Sequence, residues 1–241
     1  MSSPAPDTQQ EVNVAIDRSA FVRLARRPTF TPTDCPNFIR YRDERWYHWY
    51  ARVIAPLLAV TGGGPMFVGA PIEVLSGDYP FETWMVVRYP THRRMLAMIV
   101  NPYYTFVCNP LRERGTAVLE LAFTEPQHAD KELARQREVL GLHLAPAEQD
   151  PVPELSRLAG ARGLRVVYAS RSRYDFDFIT RPRPVDPSPL TWPVTVALAG
   201  PTEELRAFVA DPEVSAILRA QKRAAAVRYR RKGTKEMLGL S

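Results

Sequence analysis

Trp84-Met-Val-Val-Arg-Tyr-Pro-Thr91, followed by Met95-Leu-Ala-Met98 and Asn101-Pro-Tyr-Tyr104, is the stretch from which the fold can be read. Its first six residues are β-branched, aromatic or long, a composition that predicts a strand over Trp84–Tyr89. Pro90 cannot donate to a ladder and stops it, and Thr91 is placed to cap a helix. Met95, Leu96, Met98 and Ile99 form that helix's apolar face. Pro102 disfavours helical geometry at Asn101 and ends it. A second helical piece covers Tyr103 to Arg112, and Thr116-Ala-Val-Leu-Glu-Leu-Ala-Phe123 reads as the next strand.

Working toward the N-terminus, Ala20-Phe-Val-Arg-Leu-Ala-Arg26 is the first strand candidate, with the breaker-rich PTFTPTDCP behind it. A helix is expected over Asn37 to Leu58, where Tyr47, Tyr50, Ile54, Leu57 and Leu58 recur at helical steps, and Gly62-Gly63-Gly64 terminates it. Met66–Ala70 and Ile72–Leu75 read as strand broken at Pro71. The order strand, helix, strand, strand, helix, strand is that of a split βαβ, or ferredoxin-like, unit.

Displaced by 110 residues, Met95, Ala97, Met98, Asn101 and Pro102 fall on Leu205, Ala207, Phe208, Asp211 and Pro212, with a strand at Val194–Ala199 ahead and Ala224–Tyr229 after. This predicts an internal duplication. Val139–Leu144, Glu154–Gly160 and Leu164–Ser170 supply the first strand, short helix and second strand of the second copy. The expected organisation is a flexible arm over 1–19, a first unit over 20–126, a linker helix over 127–138, a second, reduced unit over 139–231 and a tail over 232–241.

Composition narrows the function classes. No run of the 241 residues approaches the length of apolar chain that a membrane span needs, and no export signal precedes the first element, so a cytoplasmic protein without membrane contact is expected. The two cysteines, Cys35 and Cys108, have no metal-ligand spacing around them. A net charge of +6 owes much to QKRAAAVRYRRKGTK near the C-terminus, but no nucleic-acid module accompanies it, and no nucleic-acid partner is expected.

The residues Val87-Arg-Tyr-Pro-Thr91, Met95-Leu-Ala-Met98 and Asn101-Pro-Tyr-Tyr104 resemble the dimeric α+β barrel superfamily, and within it an uncharacterised bacterial EthD-like family. The resemblance implies an α+β fold in which two ferredoxin-like units pack sheet to sheet, here within one chain. The protein would be a monomer with pseudo-dimeric halves or a homodimer. It also implies a small-molecule enzyme without cofactor or metal: an isomerase, cyclase or oxygenase acting on an apolar, aromatic or polyketide-like metabolite. A non-catalytic metabolite-binding protein and a haem-dependent dehydratase with a histidine axial ligand stand as alternatives. Where related sequences often carry an asparagine in the first strand, Arg23 falls, and it is placed instead among the substrate-binding residues.

The interior between the packed sheets is the expected binding site. With Trp84, Val86 and Arg88 pointing inward, Arg88 becomes an anion or oxyanion anchor beside an aromatic wall; otherwise it lies on a solvated edge. His48, in the aromatic run Arg45-Trp-Tyr-His-Trp-Tyr50, and His92, in the first turn of a helix, are candidate general bases, because histidine titrates near neutrality. Tyr47, Tyr50, Trp84 and Tyr104 complete the candidate binding set. Asp175 and Asp177 alternate with Phe176 and Phe178 and read as a solvated face.

Overall fold

The computed structural model describes residues 22, 25, 26, 31–127, 131–146, 150–172, 178–180 and 192–240. The first strand, β1 (Thr33–Tyr41), begins later than expected; of the stretch 20–26, residues 22, 25 and 26 are helical. Its residues Asn37–Tyr41 had been assigned to the following helix, which starts only at α1 (Glu44–Thr61), capped by the Asp43 side chain. Gly62, with a φ of 71°, closes α1 in the left-handed conformation that the Gly62-Gly63-Gly64 run predicted. β2 (Gly64–Ser76) runs unbroken through Pro71, which sits at a register shift opposite Tyr229, where the ladder tolerates a missing donor. β3 (Thr83–Tyr89), α2 (His92–Ile99), a π-helical turn (Tyr104–Cys108), α3 (Asn109–Gly115), β4 (Thr116–Leu121) and β5 (Thr124–Pro126) complete the first half.

Between the halves, where a helix was expected over 127–138, the described residues hold a 3-10 turn at Leu133–Arg135. The second half consists of β6 (Glu138–Ala145), α4 (Val152–Ala161), β7 (Arg165–Ser172), β8 (Phe178–Thr180), β9 (Val194–Ala199), α5 (Thr202–Ala210), α6 (Pro212–Arg219) and β10 (Arg223–Arg231). A short α7 (Thr234–Met237) follows.

The expected pair of ferredoxin-like sheets packed face to face is not what forms. One antiparallel sheet runs β3-β2-β10-β6-β9-β7-β5-β1, and β1 pairs with β3 again to close an eight-stranded barrel. The halves meet edge to edge: β2 hydrogen-bonds β10 and β5 hydrogen-bonds β7. The long β2 outruns β3 and offers its far edge to β10, so closure removes the exposed edges that two stacked sheets would leave. The helices lie outside the barrel.

Strand alternation then makes two different interiors. Inside the barrel, Phe38, Phe67, Trp84, Tyr168, Trp192 and Tyr229 are all at most 1% exposed; Phe38, Trp84, Trp192 and Tyr229 contact the His143 ring, and Phe67 and Tyr168 pack against Trp84. The space expected to hold a ligand is filled by these rings, as small barrels generally are. On the outer face of the second half, Leu140, Leu142, Leu144, Val196 and Leu198 meet Leu155, Leu205, Phe208 and Leu218 from the covering helices in a packed aliphatic core.

Candidate functional site

On the outer face of the first half the packing is different. Cys35 and Asn37 from β1, Met85, Val87 and Tyr89 from β3, and Leu119 and Leu121 from β4 form a floor. Tyr47, Tyr50, Ile54 and Leu58 from α1, Met95 and Met98 from α2, and Tyr104 from the π-helical turn cover it. These side chains touch at some points, such as Cys35 against Met95, but between them they leave a cavity of about 470 Å³. Large rings on α1 and flexible methionines on α2 hold the helices off the sheet, where the second half interlocks compact leucines and valines.

One corner of this apolar cavity is polar. Arg112 of α3 is 5% exposed; its guanidinium donates 2.7 Å to the Tyr104 hydroxyl and also donates to Asn109 Oδ1. Asn109 Nδ2 donates 2.6 Å to Glu113 Oε1, and the Tyr50 phenol lies close to that of Tyr104. Tyr104, Cys108 and Arg112 follow one another at four-residue steps, which puts them on one helical stripe facing α1. Burial pushes the Tyr47 and Tyr50 phenols well above their ordinary range, with neighbouring tyrosines adding to the rise, so both stay protonated donors at neutral pH. Cys35, beside Met95 at 3.3 Å, is likewise raised by burial and by the Asp34 charge, and is a thiol rather than a nucleophilic thiolate.

Of the residues singled out in the sequence, the structure brings Tyr47, Tyr50 and Tyr104 together in this cavity. Trp84 is in the barrel interior instead, on the opposite face of β3. Arg88 does point to the barrel side, as the alternation allowed, but it is engaged bidentately by the fully buried carboxylate of Asp34, at 2.7 and 2.9 Å. His48 lies on the outer side of α1, 3.6 Å from Glu44 and against Gly239, and His92 is buried at the start of α2; neither lines the cavity. Arg23, Asp175 and Asp177 lie outside the described residues. Arg112, Asn109, Glu113 and Asn37 were missed; the four-residue spacing of Tyr104, Cys108 and Arg112 was the signal that could have found the first of them.

A haem group held by a histidine does not fit this site. Among the described residues no histidine lines the cavity, and the corresponding face of the second half is closed by its aliphatic core. His143 sits among the barrel rings with its Nε2 2.8 Å from the Tyr229 hydroxyl. No cluster of three or more histidine, cysteine or acidic side chains that could hold a metal occurs among the described residues.

No protein-family model and no curated protein matches the chain. Solved structures do. An anthrone oxidase-like protein shares 10% identity over 86% of this chain and 93% of its own, with a TM-score of 0.50. Chlorite dismutase from Candidatus Nitrospira defluvii, in complex with imidazole, shares 10% over 93% and 98%, with a TM-score of 0.48. A protein of unknown function from Rhodopseudomonas palustris shares 18% over 49% of this chain and 99% of its own, with a TM-score of 0.44. The structural neighbours are dimeric α+β barrel proteins, and at these identities the likeness is one of fold. The narrower EthD-like assignment finds no matching family model. Among the described residues no helix is long and apolar enough to cross a membrane.

Proposed function

We propose that this chain is a small-molecule enzyme that takes an apolar, aromatic or polyketide-like compound into the first-half cavity and stabilises an oxyanion on it. The observation that carries this reading is the buried Arg112–Tyr104–Tyr50 corner at the edge of an otherwise apolar cavity. A ligand with one acidic oxygen, such as a phenol or an enolisable ketone, would place that oxygen at the guanidinium and its rings among Met85, Met95, Met98 and Leu121. Arg112 then supplies a fixed positive charge where negative charge develops, in a site poor in water, and the Tyr50 phenol supplies a further donor. Glu113 is the one carboxylate among the described lining residues, and it serves as the proton acceptor, oriented by Asn109. An enolate or phenolate formed this way is the common starting point of isomerisation, cyclisation and reaction with dioxygen. The sequence-predicted oxidative, isomerising and cyclising chemistries therefore share this first step. The neighbouring folds include proteins described as putative monooxygenases and as anthrone oxidase-like, which makes the oxygenase branch the first to test.

The test is a panel of fused-ring phenols and enolisable ketones, each screened for binding by calorimetry and for turnover by dioxygen uptake and product mass. Binding with turnover that fails in Arg112→Met supports the reading. Tight binding with no change in any panel member favours the rival, a protein that sequesters a metabolite. Binding unaffected by Arg112→Met refutes the assigned corner. A charge-assisted hydrogen bond of about 1.5–3 kcal/mol predicts a loss of about 10- to 150-fold in affinity.

A further inference from the structure

The cavity has one wall that belongs neither to the sheet nor to the first-half helices. Thr234, Met237 and Leu238, beyond the last barrel strand, line it together with α1, β3 and β4. The C-terminal segment reaches this place from the far side of the sequence. After Arg231 leaves β10, the Lys232 amide donates to the Val68 carbonyl at 2.7 Å, and the chain then folds back over α1. No residue of α7 is buried, so the segment touches the body of the protein on one side only.

What holds it there is a stripe on α1. Glu44, His48 and Arg52 are spaced four apart and share one face. Glu44 Oε1 meets Lys232 Nζ at 3.3 Å. Arg52 donates from Nε to the Leu238 carbonyl at 2.8 Å and from Nη2 to the Gly239 carbonyl at 3.0 Å. His48 packs against Gly239, whose φ is 61° and where a Cβ would lie 2.4 Å from His48 Nδ1. Arg230, at the end of β10, pairs with Glu236 of α7 at 2.8 Å and ties the segment to the barrel strand. Apart from the packing of His48 on Gly239, these contacts are polar, and most are solvent-accessible. Exposed pairs of this kind are worth little each, and a segment held by them opens at far lower cost than the barrel strands do.

We infer that residues 233–240 are a hinged wall that closes the cavity, with α1 as its latch through Glu44, His48 and Arg52. The inference rests on reading the cavity as the ligand site, and it gives His48 a positioning role in place of the catalytic one that the sequence suggested. An apolar ligand enters when the segment lifts about Gly233, and Met237 and Leu238 cover it when the segment returns.

Cys35 provides a test that needs no ligand, because it lines the cavity yet is only 4% exposed, while Cys108 is fully buried and does not line it. Alkylation of each thiol by iodoacetamide is followed by peptide mass in the full chain, in Gly239→Val and in a variant truncated after Gly233. Gly239→Val keeps every residue of the segment but cannot seat it on His48; the truncation leaves β10 and the Lys232 contacts intact. Cys35 should react about tenfold faster or more in both variants, through easier local opening, with Cys108 unchanged. Unchanged Cys35 reactivity in both variants overturns the inference. So does a parallel rise at both thiols, which reports a loosened helix layer. Stopped-flow binding of N-phenyl-1-naphthylamine separates this inference from the one it rests on. Selective Cys35 acceleration without probe binding keeps the wall and removes the ligand site, whereas probe entry and exit that both accelerate support the two together.

Discussion

Replacing Arg88 by methionine removes the guanidinium that Asp34 grips with both carboxylate oxygens, at 2.7 and 2.9 Å. Asp34 is fully buried on β1 and Arg88 is 18% exposed on the neighbouring β3, at registered positions of the barrel ladder. The substitution therefore strands a carboxylate inside the barrel, and breaking a buried pair from one side costs about 3–5 kcal/mol. For a chain of this length that corresponds to a fall in Tm of about 6–20 °C. The double variant Asp34→Leu with Arg88→Met leaves no charge behind, and should recover most of the loss, since an apolar pair of similar volume often replaces a buried ion pair without penalty. Calorimetric unfolding of the wild type, both singles and the double gives the coupling directly. Ligand affinity measured on the same four proteins should stay within about threefold, because additivity holds for sites that share no partner. A small Tm change in the single variant, together with lost affinity or turnover, refutes the reasoning and returns Arg88 to the active site.

Other outcomes follow from the same geometry. Met98→Trp places an indole in the cavity and should abolish ligand binding without lowering Tm, as seen by calorimetry and thermal unfolding. Tyr104→Phe removes the hydroxyl that accepts from Arg112, and should weaken a phenolic ligand by about 2- to 13-fold by calorimetry while an apolar hydrocarbon of the same shape is unaffected. Burial lowers the His143 pKa to about 3, below its ordinary value near 6.5, so between these values the unfolded chain binds the extra proton. His143 therefore costs stability as pH falls through that window, by about 1.4 kcal/mol per pH unit, and denaturant titrations of His143→Phe across it should show a shallower slope.

How far the fold was legible depended on where local and tertiary signals agreed. β3, α2 and β9 carry strong propensities with clear stops, and lie where the pattern put them. β1 was hidden because Thr33-Asp-Cys-Pro36 looks like a breaker. Pro36 is tolerated in a central strand because its carbonyl accepts from Ala122, on the side where the ladder is interrupted between β4 and β5, so its missing donor falls at the gap. Barrel closure was not readable at all: nothing in the alternation of β2 or β10 says that their edges meet. The site was half legible for the same reason. Period-two alternation divides β3 into Trp84, Val86 and Arg88 against Met85, Val87 and Tyr89, but it does not say which set faces packed rings and which faces a void. That depended on volume. Rings filled the barrel, while α1 and α2 stood off the sheet, and the helix-borne tyrosines were found whereas Trp84 and Arg88 were not in the cavity. In the sequence Arg112 is only the last residue of the second helical piece, and its stripe with Tyr104 and Cys108 is the one signal that it is buried.

Methionine methyl resonances test the central claim, that ligand binds on the helix side of the first half rather than inside the barrel. Met85, Met95, Met98 and Met237 line the cavity, while Met66 is packed in the barrel core. With 13C-methyl methionine in the full chain, titration with 1-naphthol should shift those four resonances by ring current and leave Met66 in place. A shift of Met66 with the four cavity methyls unmoved would contradict the account.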